Sequence, residues 1–141
     1  FSSKERLDRD RGVFEKIRSK ESLITNYLNS NGKGWGFPHC FLTALEDLVS
    51  LLDDEASTWF FDYRVNKTLQ KYHKVIVSFQ AFLLENMFPT ETSGYYQIPG
   101  EWKCKQPERF ATTIQELHQH EENVLKTRDT FVQAGSKRFH C

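Results

Sequence analysis

The chain lacks long hydrophobic runs, and this absence removes one class of protein at the outset. Its apolar stretches are only a few residues long, whereas a transmembrane helix needs about 20 consecutive apolar residues. No leader segment is recognisable at Phe1. We therefore expect a soluble protein of the cytoplasm that does not enter a membrane.

An excess of charge of one sign is also lacking. The 141 residues contain 19 basic and 19 acidic side chains, so no net field attracts nucleic acid or an anionic membrane surface. We accordingly predict neither nucleic acid nor membrane as a partner. A net charge near zero favours self-association, and a homodimer is therefore compatible with the sequence.

Cysteine is scarce and shows no pattern. Cys40, Cys104 and Cys141 are an odd set without a CxxC spacing, which fits a reducing compartment. Free thiols are the favoured state, with a disulfide between Cys40 and Cys104 as the alternative. The sequence also has no GxSxG, P-loop, GxGxxG or HExxH motif. No catalytic residue, metal site or cofactor is therefore predicted.

What the chain does contain is helical periodicity, which is strongest over residues 67–88. Apolar side chains recur there every three or four residues and so share one face of an α-helix: Leu69, Tyr72, Ile76, Phe79 and Leu83. A second apolar layer indicates neighbours on more than one side: Val75, Val77, Phe82 and Met87. We predict that this segment is the central helix of the domain and that Pro89 ends it.

Two other segments show the same period clearly. The first, Lys4–Asn29, is amphipathic and ends in a turn rich in Asn and Gly at residues 29–34. The last begins at Pro107 and is predicted to end near Gly135, followed by a frayed tail. Residues 89–106 have no steady period and form a long loop before this last helix.

The end of the second helix is ambiguous from the sequence. The helix starts at Pro38, and the acidic run at residues 53–55 offers one end point. Alternatively the apolar stripe continues to Tyr63, and Asn66 caps the next helix. We favour the second interpretation, because it gives four helices of similar length, roughly 33 to 42 Å at 1.5 Å per residue.

Four such helices predict an all-α fold with a single domain over residues 1–141. The expected architecture is an antiparallel, up-down-up-down four-helix bundle with a long aromatic loop between helices 3 and 4. A crossover between these two helices is the alternative topology. In the favoured topology the first and third connections emerge at the same end of the bundle.

The two connections at that end are rich in aromatic side chains. Together they carry six candidate binding residues: Trp35, Phe37, His39, Tyr95, Tyr96 and Trp102. Aromatic rings with polar edges combine a large contact area with hydrogen-bonding groups, as ligand pockets and protein interfaces do. We predict a non-enzymatic binding module that presents this end to a small apolar ligand or a partner protein. The competing interpretation is that the rings turn inward and plug the core.

Polar residues on or near the buried stripes suggest a second function, a metal-binding or metal-dependent helical-bundle enzyme. Its candidate residues are Glu21, Glu46, His73, His118 and Glu121. Counting 1.5 Å per residue from the shared end places His73 level with Glu121, and Glu21 level with Glu46. The Glu-x-x-His signature of di-iron bundles is absent. A hydrogen bond or ion pair between His73 and Glu121 is therefore the simpler expectation.

Overall fold

The chain is mostly helical. A computed structural model describes residues 1–31 and 34–140; the predicted turn residues Gly32 and Lys33, and also Cys141, lie outside the described residues. In chain order the elements are α1 (Ser3–Asn31), β1 (Gly36–Pro38), α2 (His39–Asp53), α3 (Tyr63–Asn86), β2 (Phe88–Pro89), β3 (Tyr95–Gln97), α4 (Trp102–Lys105) and α5 (Pro107–Phe139). Within the described residues, every helix is too short or too polar to span a bilayer.

The predicted apolar stripes form the core. The stripe of α3, from Leu69 to Leu83, is buried at each predicted position, because these residues follow the helical period. On α1 the same holds for Phe14, Ile17 and Ile24. The prediction of a mainly helical protein is confirmed.

The favoured end of the second helix is wrong. α2 ends at Asp53, where the acidic run begins, and residues 54–62 form a connection to α3. The hydroxyl group of Thr58 donates to the backbone carbonyl of Asp54 at 2.8 Å and so closes the end of α2. Asn66 does not cap α3 but lies inside it, where its side-chain oxygen accepts from the backbone N–H of Phe60 at 3.0 Å.

A carboxylate from α1 holds the connection between α2 and α3. Asp10 is buried and accepts hydrogen bonds from the backbone N–H groups of Phe61 and Asp62, each at 3.0 Å. Asp62 in turn caps α3 by accepting from the N–H of Val65 at 3.0 Å. Arg138 of α5 donates to the Asp62 carboxylate at 2.8 Å. Parts of α1, α3 and α5 therefore meet at one end of the molecule, which we call the Asp62 end.

The long connection between α3 and α5 contains regular structure that the sequence pattern did not predict. β3 pairs antiparallel with β1 on one side and with β2 on the other, which gives a three-stranded sheet in the order β1-β3-β2. α4 is a single helical turn. Strands of two or three residues are too short to show an alternating pattern. We call the part of the molecule around this sheet the sheet end.

The predicted end of the last helix is also wrong. α5 continues past Gly135 to Phe139, so the expected frayed tail is helical, and Phe139 is part of the core. Its ring centroid lies 5.4 Å from that of Phe14 and 6.0 Å from that of Phe60. Gly135 is a point of close contact instead of a helix stop, since a Cβ added there would lie 2.0 Å from the Phe14 ring.

The four long helices pack against one another through these buried faces. α1 contacts α2 and α5, and α3 contacts the same two helices. The contact between α3 and α5 includes the stacked rings of Tyr72 and Phe131, whose centroids are 6.0 Å apart. The core therefore lies between the long helices, and the sheet closes one end of it.

Replacing Gly135 by Ala should lower the free energy of unfolding, although Ala forms helix better than Gly by about 1 kcal/mol. The added methyl group would overlap the Phe14 ring, and overpacking of this kind costs about 1–3 kcal/mol. Gly12→Ala is the matched control, because Gly12 lies in α1 with nothing within 4 Å of an added Cβ. Denaturant unfolding should show that Gly12→Ala gains stability and Gly135→Ala loses it. Equal stability of the two variants would contradict the close packing of Phe14.

Candidate functional site

The pairing of β1 with β3 brings the predicted site residues together. Phe37 of β1 lies opposite Tyr96 of β3, and Pro38 lies opposite Tyr95. The backbone N–H of Ile98 also donates to the carbonyl of the residue before β1, Trp35, at 3.0 Å. The connection after α1 and the connection after α3 therefore meet at the sheet end.

Two of the six predicted residues belong to the core. Phe37 is buried, and its ring stacks on Phe41 with a centroid separation of 4.5 Å. Trp102 is buried between the Phe88 ring, 6.4 Å away between centroids, and the guanidinium of Arg109, 3.7 Å from its ring centre. For these two residues, the interpretation of rings that plug the core describes the structure.

The other four residues remain nearer to the surface. Trp35, Tyr95 and Tyr96 are half-buried, and His39 is exposed. The Trp35 ring meets Phe110 of α5 edge-on, with centroids 5.2 Å apart. His39 begins α2, and its ring lies 6.1 Å from that of Tyr96. His39 and Tyr96 both belong to the lining of a pocket.

An apolar pocket of about 260 Å³ lies between α2 and α3 at the sheet end, and we call it the α2–α3 pocket. Its apolar lining consists of five aliphatic side chains and one aromatic ring: Leu42, Leu45, Leu83, Leu84, Met87 and Tyr96. Its polar lining consists of His39, Thr43, Glu46 and Gln80. Most of these groups stand on helices, which hold side chains at more fixed positions than loops do.

The polar side chains of the α2–α3 pocket have no hydrogen-bond partner among the described residues. None of the four makes a side-chain hydrogen bond to any residue within 1–31 or 34–140. A second cavity of about 260 Å³, beside Trp59, differs because its Thr58, Asn66 and His73 side chains are engaged, which leaves only Glu55 and Gln70 among its lining residues with polar side chains that have no hydrogen-bond partner in the described residues. Polar groups around an apolar pocket fix the orientation of a ligand when they are free to bind it. The α2–α3 pocket is therefore the better ligand site of the two.

A larger and more open groove, of about 550 Å³, lies on the other side of β3. We call it the Phe88 groove, and its lining is Phe88, Pro89, Thr90, Glu91, Gln97, Pro99, Gly100, Glu101 and Trp102. Successive side chains of a strand point to opposite faces. Tyr96 accordingly lines the α2–α3 pocket, whereas Gln97 lines the Phe88 groove. The strand separates two candidate sites that share no lining residue.

The predicted contact between His73 and Glu121 is wrong. His73 pairs with the end of α2 instead of with Glu121, since its Nε2 atom lies 2.7 Å from Oδ1 of Asp53. Glu46 is exposed at the α2–α3 pocket, whereas Glu21 is buried and bonded to α5. Helix rise predicts the level of a residue, but not the neighbour that its side chain faces. Residues at one level can therefore belong to different contacts.

The cysteine and metal expectations can be compared with the described residues. Cys40 and Cys104 are exposed free thiols, so the alternative of a disulfide between them is wrong. Within residues 1–31 and 34–140, no three His, Cys, Asp or Glu side chains are grouped so that they could hold a metal ion. His118 faces the connection after α1, with Nε2 3.2 Å from the carbonyl oxygen of Gly34. The residues considered for a metal site therefore do not form one group: His118 lies near Glu121, whereas His73 and Glu21 have other partners.

Glu21 is a fully buried carboxylate with partners on two helices. It accepts hydrogen bonds from Arg18 and Thr25 of its own helix, at 2.9 and 2.7 Å, and from Nε of Arg128 on α5, at 2.9 Å. A network of this kind satisfies a buried charge and restricts the register of the two helices. Both oxygens of Glu21 are therefore occupied by donors of the protein itself.

Glu121 of α5 is buried, and its carboxyl group makes no hydrogen bond or ion pair with a described residue. Among the described residues, its Oε1 atom has no hydrogen-bond partner. Burial raises the pKa of Glu121 to about 7, although nearby His118 opposes the rise. Burial also raises the pKa of Tyr27 on α1, and Tyr95, Cys40 and Glu121 add to that rise. The region beneath the sheet end thus contains a carboxyl group that titrates near neutral pH.

Leu84 is the pocket residue that sequence reasoning missed most clearly. It lies outside the predicted buried stripe of α3, and it is 78% exposed at the α2–α3 pocket. A single exposed Leu carries no functional signal in a sequence, because such residues are common on protein surfaces. Met87, by contrast, belongs to the second apolar layer that the sequence indicated, and it lines the pocket. That layer is the one signal of extra apolar surface on α3.

Comparison with protein-family models, with curated proteins and with solved structures gives no match for this chain. A fold alone would not define a function in any case, because one fold supports many activities. The α2–α3 pocket and the Phe88 groove are therefore the features of the molecule whose chemistry indicates a function.

Replacing Arg128 by Met should destabilise the protein by about 2–4 kcal/mol, because it leaves the buried Glu21 carboxylate without its partner on α5. Arg18 remains bonded to Glu21, which keeps the loss below the largest values for buried pairs. The double variant Glu21→Met with Arg128→Met should recover most of the loss, since neither charge is then buried. Denaturant unfolding measures both variants. A double variant no more stable than Arg128→Met would show that the stranded carboxylate is not the cause.

Glu121 should make the protein less stable as the pH rises from about 4.5 to about 7. Its pKa is raised from the ordinary value of 4.5 to about 7 in the folded chain, so the folded state binds the proton more tightly than the unfolded chain. The contribution is therefore most favourable below pH 4.5 and is lost above about pH 7. In Glu121→Gln this dependence disappears, and the variant should gain roughly 1–2 kcal/mol relative to the wild type on going from pH 5 to pH 8.

Glu122→Gln is the matched control for this measurement, because Glu122 is the exposed neighbour of Glu121 on the same helix. Its unfolding free energy should follow the wild-type pH profile. If the profiles of Glu121→Gln and the wild type ran parallel, the carboxyl group would not be the source of the pH dependence.

Proposed function

We propose that the protein is a non-enzymatic binding module that holds a small apolar molecule in the α2–α3 pocket. The four long helices serve as its scaffold, arranged as an antiparallel, up-down-up-down bundle. The observation that carries the proposal is an apolar pocket surrounded by four polar side chains that have no hydrogen-bond partner within the described ranges.

Contacts along the helices support the antiparallel scaffold. Phe14 of α1 packs against Gly135 of α5. Further along α1, Glu21 binds Arg128 of α5. Residue numbers thus rise along α1 as they fall along α5, as they do in antiparallel neighbours. The contacts of Asp62 at one end and the pairing of β1 with β3 at the other agree with this arrangement.

The dimensions of the pocket limit what it would hold. A volume of about 260 Å³ lies just below the roughly 300–1,000 Å³ of most ligand sites, so a single ring or a short branched chain is the expected size. Leu42, Leu83 and Met87 would contact the apolar part of such a molecule. Gln80 supplies both a donor and an acceptor, and Glu46 supplies an acceptor for a polar substituent.

The rival function, metal binding by interior Glu and His residues, has less support. Glu21 is bonded to Arg18, Thr25 and Arg128, and His73 is bonded to Asp53. These side chains already have partners that a metal ion would have to displace. The homodimer and the cytoplasmic location stay predictions from the composition.

Titration with single-ring compounds, namely toluene, p-cresol and phenol, should shift the backbone amide NMR signals of residues 39–46 and 80–87, because these segments line the pocket. Replacing Leu84 by Ser removes apolar contact from the pocket and should weaken binding about fivefold, which corresponds to about 1 kcal/mol. The variant should fold normally, since its side chain is largely in solvent.

Leu23→Ser is the matched control, because Leu23 of α1 is also a largely exposed Leu and does not line the pocket. It should bind the three compounds as tightly as the wild type. Saturable shifts confined to other segments, or equal affinities of the two Ser variants, would remove the α2–α3 pocket as the site.

A further inference from the structure

We propose that the Phe88 groove is a docking surface for an extended, proline-containing and positively charged segment of another protein. The inference is independent of the proposed small-molecule site, because the groove and the α2–α3 pocket have no lining residue in common. It depends on three features of the groove, which are its apolar surface, its fixed walls and its charge.

The apolar surface of the groove is made of rings and prolines. Phe88 is 46% exposed there, and Pro89 and Pro99 lie beside it. The ring of Trp102 also lines the groove, and it contacts the Phe88 ring edge-on with centroids 6.4 Å apart. Proline-containing segments in the polyproline II conformation dock on aromatic-lined grooves, because both surfaces are apolar and the segment loses little entropy when it binds. Because the groove is open, an extended peptide can lie along it.

The walls of the groove are held in place by the protein itself. Phe88 and Gln97 are paired across β2 and β3. The backbone N–H of Thr90 donates to the carbonyl of Tyr95 at 3.0 Å, which closes the turn between these strands. The guanidinium of Arg109 covers the Trp102 ring at 3.7 Å and fixes its orientation. A surface that is already ordered requires little reorganisation when a partner binds.

The charge of the groove determines the sign of the partner. Two carboxylates, Glu91 and Glu101, line it, and no Lys or Arg is among its lining residues. Neither carboxylate makes a side-chain hydrogen bond or ion pair with a residue that the structure describes. The Gln97 side chain is likewise without a partner there. A segment with Arg or Lys would find complementary charge, whereas an acidic segment or nucleic acid would be repelled.

Three labelled peptides test this inference, each repeating a three-residue unit over about twelve residues: Pro-Ala-Arg, Pro-Ala-Gln and Pro-Ala-Glu. Fluorescence anisotropy should show saturable binding of the Arg peptide, binding about tenfold weaker for the Gln peptide, and none for the Glu peptide. Added salt should weaken the binding of the Arg peptide. Equal binding of all three peptides, or of none, would overturn the proposal.

Two pairs of variants locate the binding site. Phe88→Ala should weaken binding of the Arg peptide about tenfold, whereas its control Tyr63→Ala, another exposed aromatic residue on a distant segment, should not.

The double variant Glu91→Gln with Glu101→Gln should bind the Arg and Gln peptides about equally. Its control, Glu5→Gln with Glu15→Gln, changes the net charge by the same amount on α1 and should keep the preference for Arg. Binding that is unaffected by the Phe88 and Glu91/Glu101 variants would place the peptide elsewhere and refute the inference.

Discussion

The pairing of β1 with β3 is the contact on which both candidate sites depend. It ties the connection after α1 to the connection after α3, and through neighbouring residues of β3 it places Tyr96 at the pocket and Gln97 at the groove. The close approach of the strands requires a residue without a side chain at Gly36. A Cβ there would lie 2.6 Å from the Tyr95 ring and 2.8 Å from Cβ of Gln97. Separation of these two strands would therefore change both sites together.

Hydrogen-bonded carboxylates fix the positions of the long helices relative to one another. Asp10 accepts two backbone N–H groups from the connection before α3, and Glu21 binds Arg128 of α5. Such bonds are directional, so they fix one register where apolar stripes alone would tolerate sliding. Asp53 and His73 add a link between α2 and α3, the two walls of the pocket. The pocket is consequently bounded by helices whose relative positions are fixed by contacts outside it.

The positions of the helices could be predicted from the sequence, but several of their ends could not, and the reason is physical. The buried stripes depend on local spacing, so the stripe from Leu69 to Leu83 could be assigned without knowledge of its partners. The connection that follows α2 depends on Asp10, which is separated by 51 and 52 residues from Phe61 and Asp62 and accepts the N–H groups of these two residues, which a continued helix would have used. Similarly, Gly is a residue type that commonly follows the end of a helix, and for this reason the sequence predicts an end near Gly135. The Phe14 ring that packs against Gly135 comes from α1, so the local sequence does not reveal this contact.

The candidate site shows the same division between local and distant causes. The two aromatic connections meet through the pairing of β1 with β3, whereas the position of each ring depends on what it packs against. Phe37 and Trp102 are buried, because a large ring that removes about 150–250 Å² from water contributes most inside the core. The surface that remains for a ligand combines rings such as Tyr96 at the pocket and Phe88 at the groove with residues that carry little sequence signal, such as Leu84 and Pro89. Aromatic richness in these connections therefore indicates where the core closes, and the rings that are not fully buried in it contribute to the lining of both candidate sites.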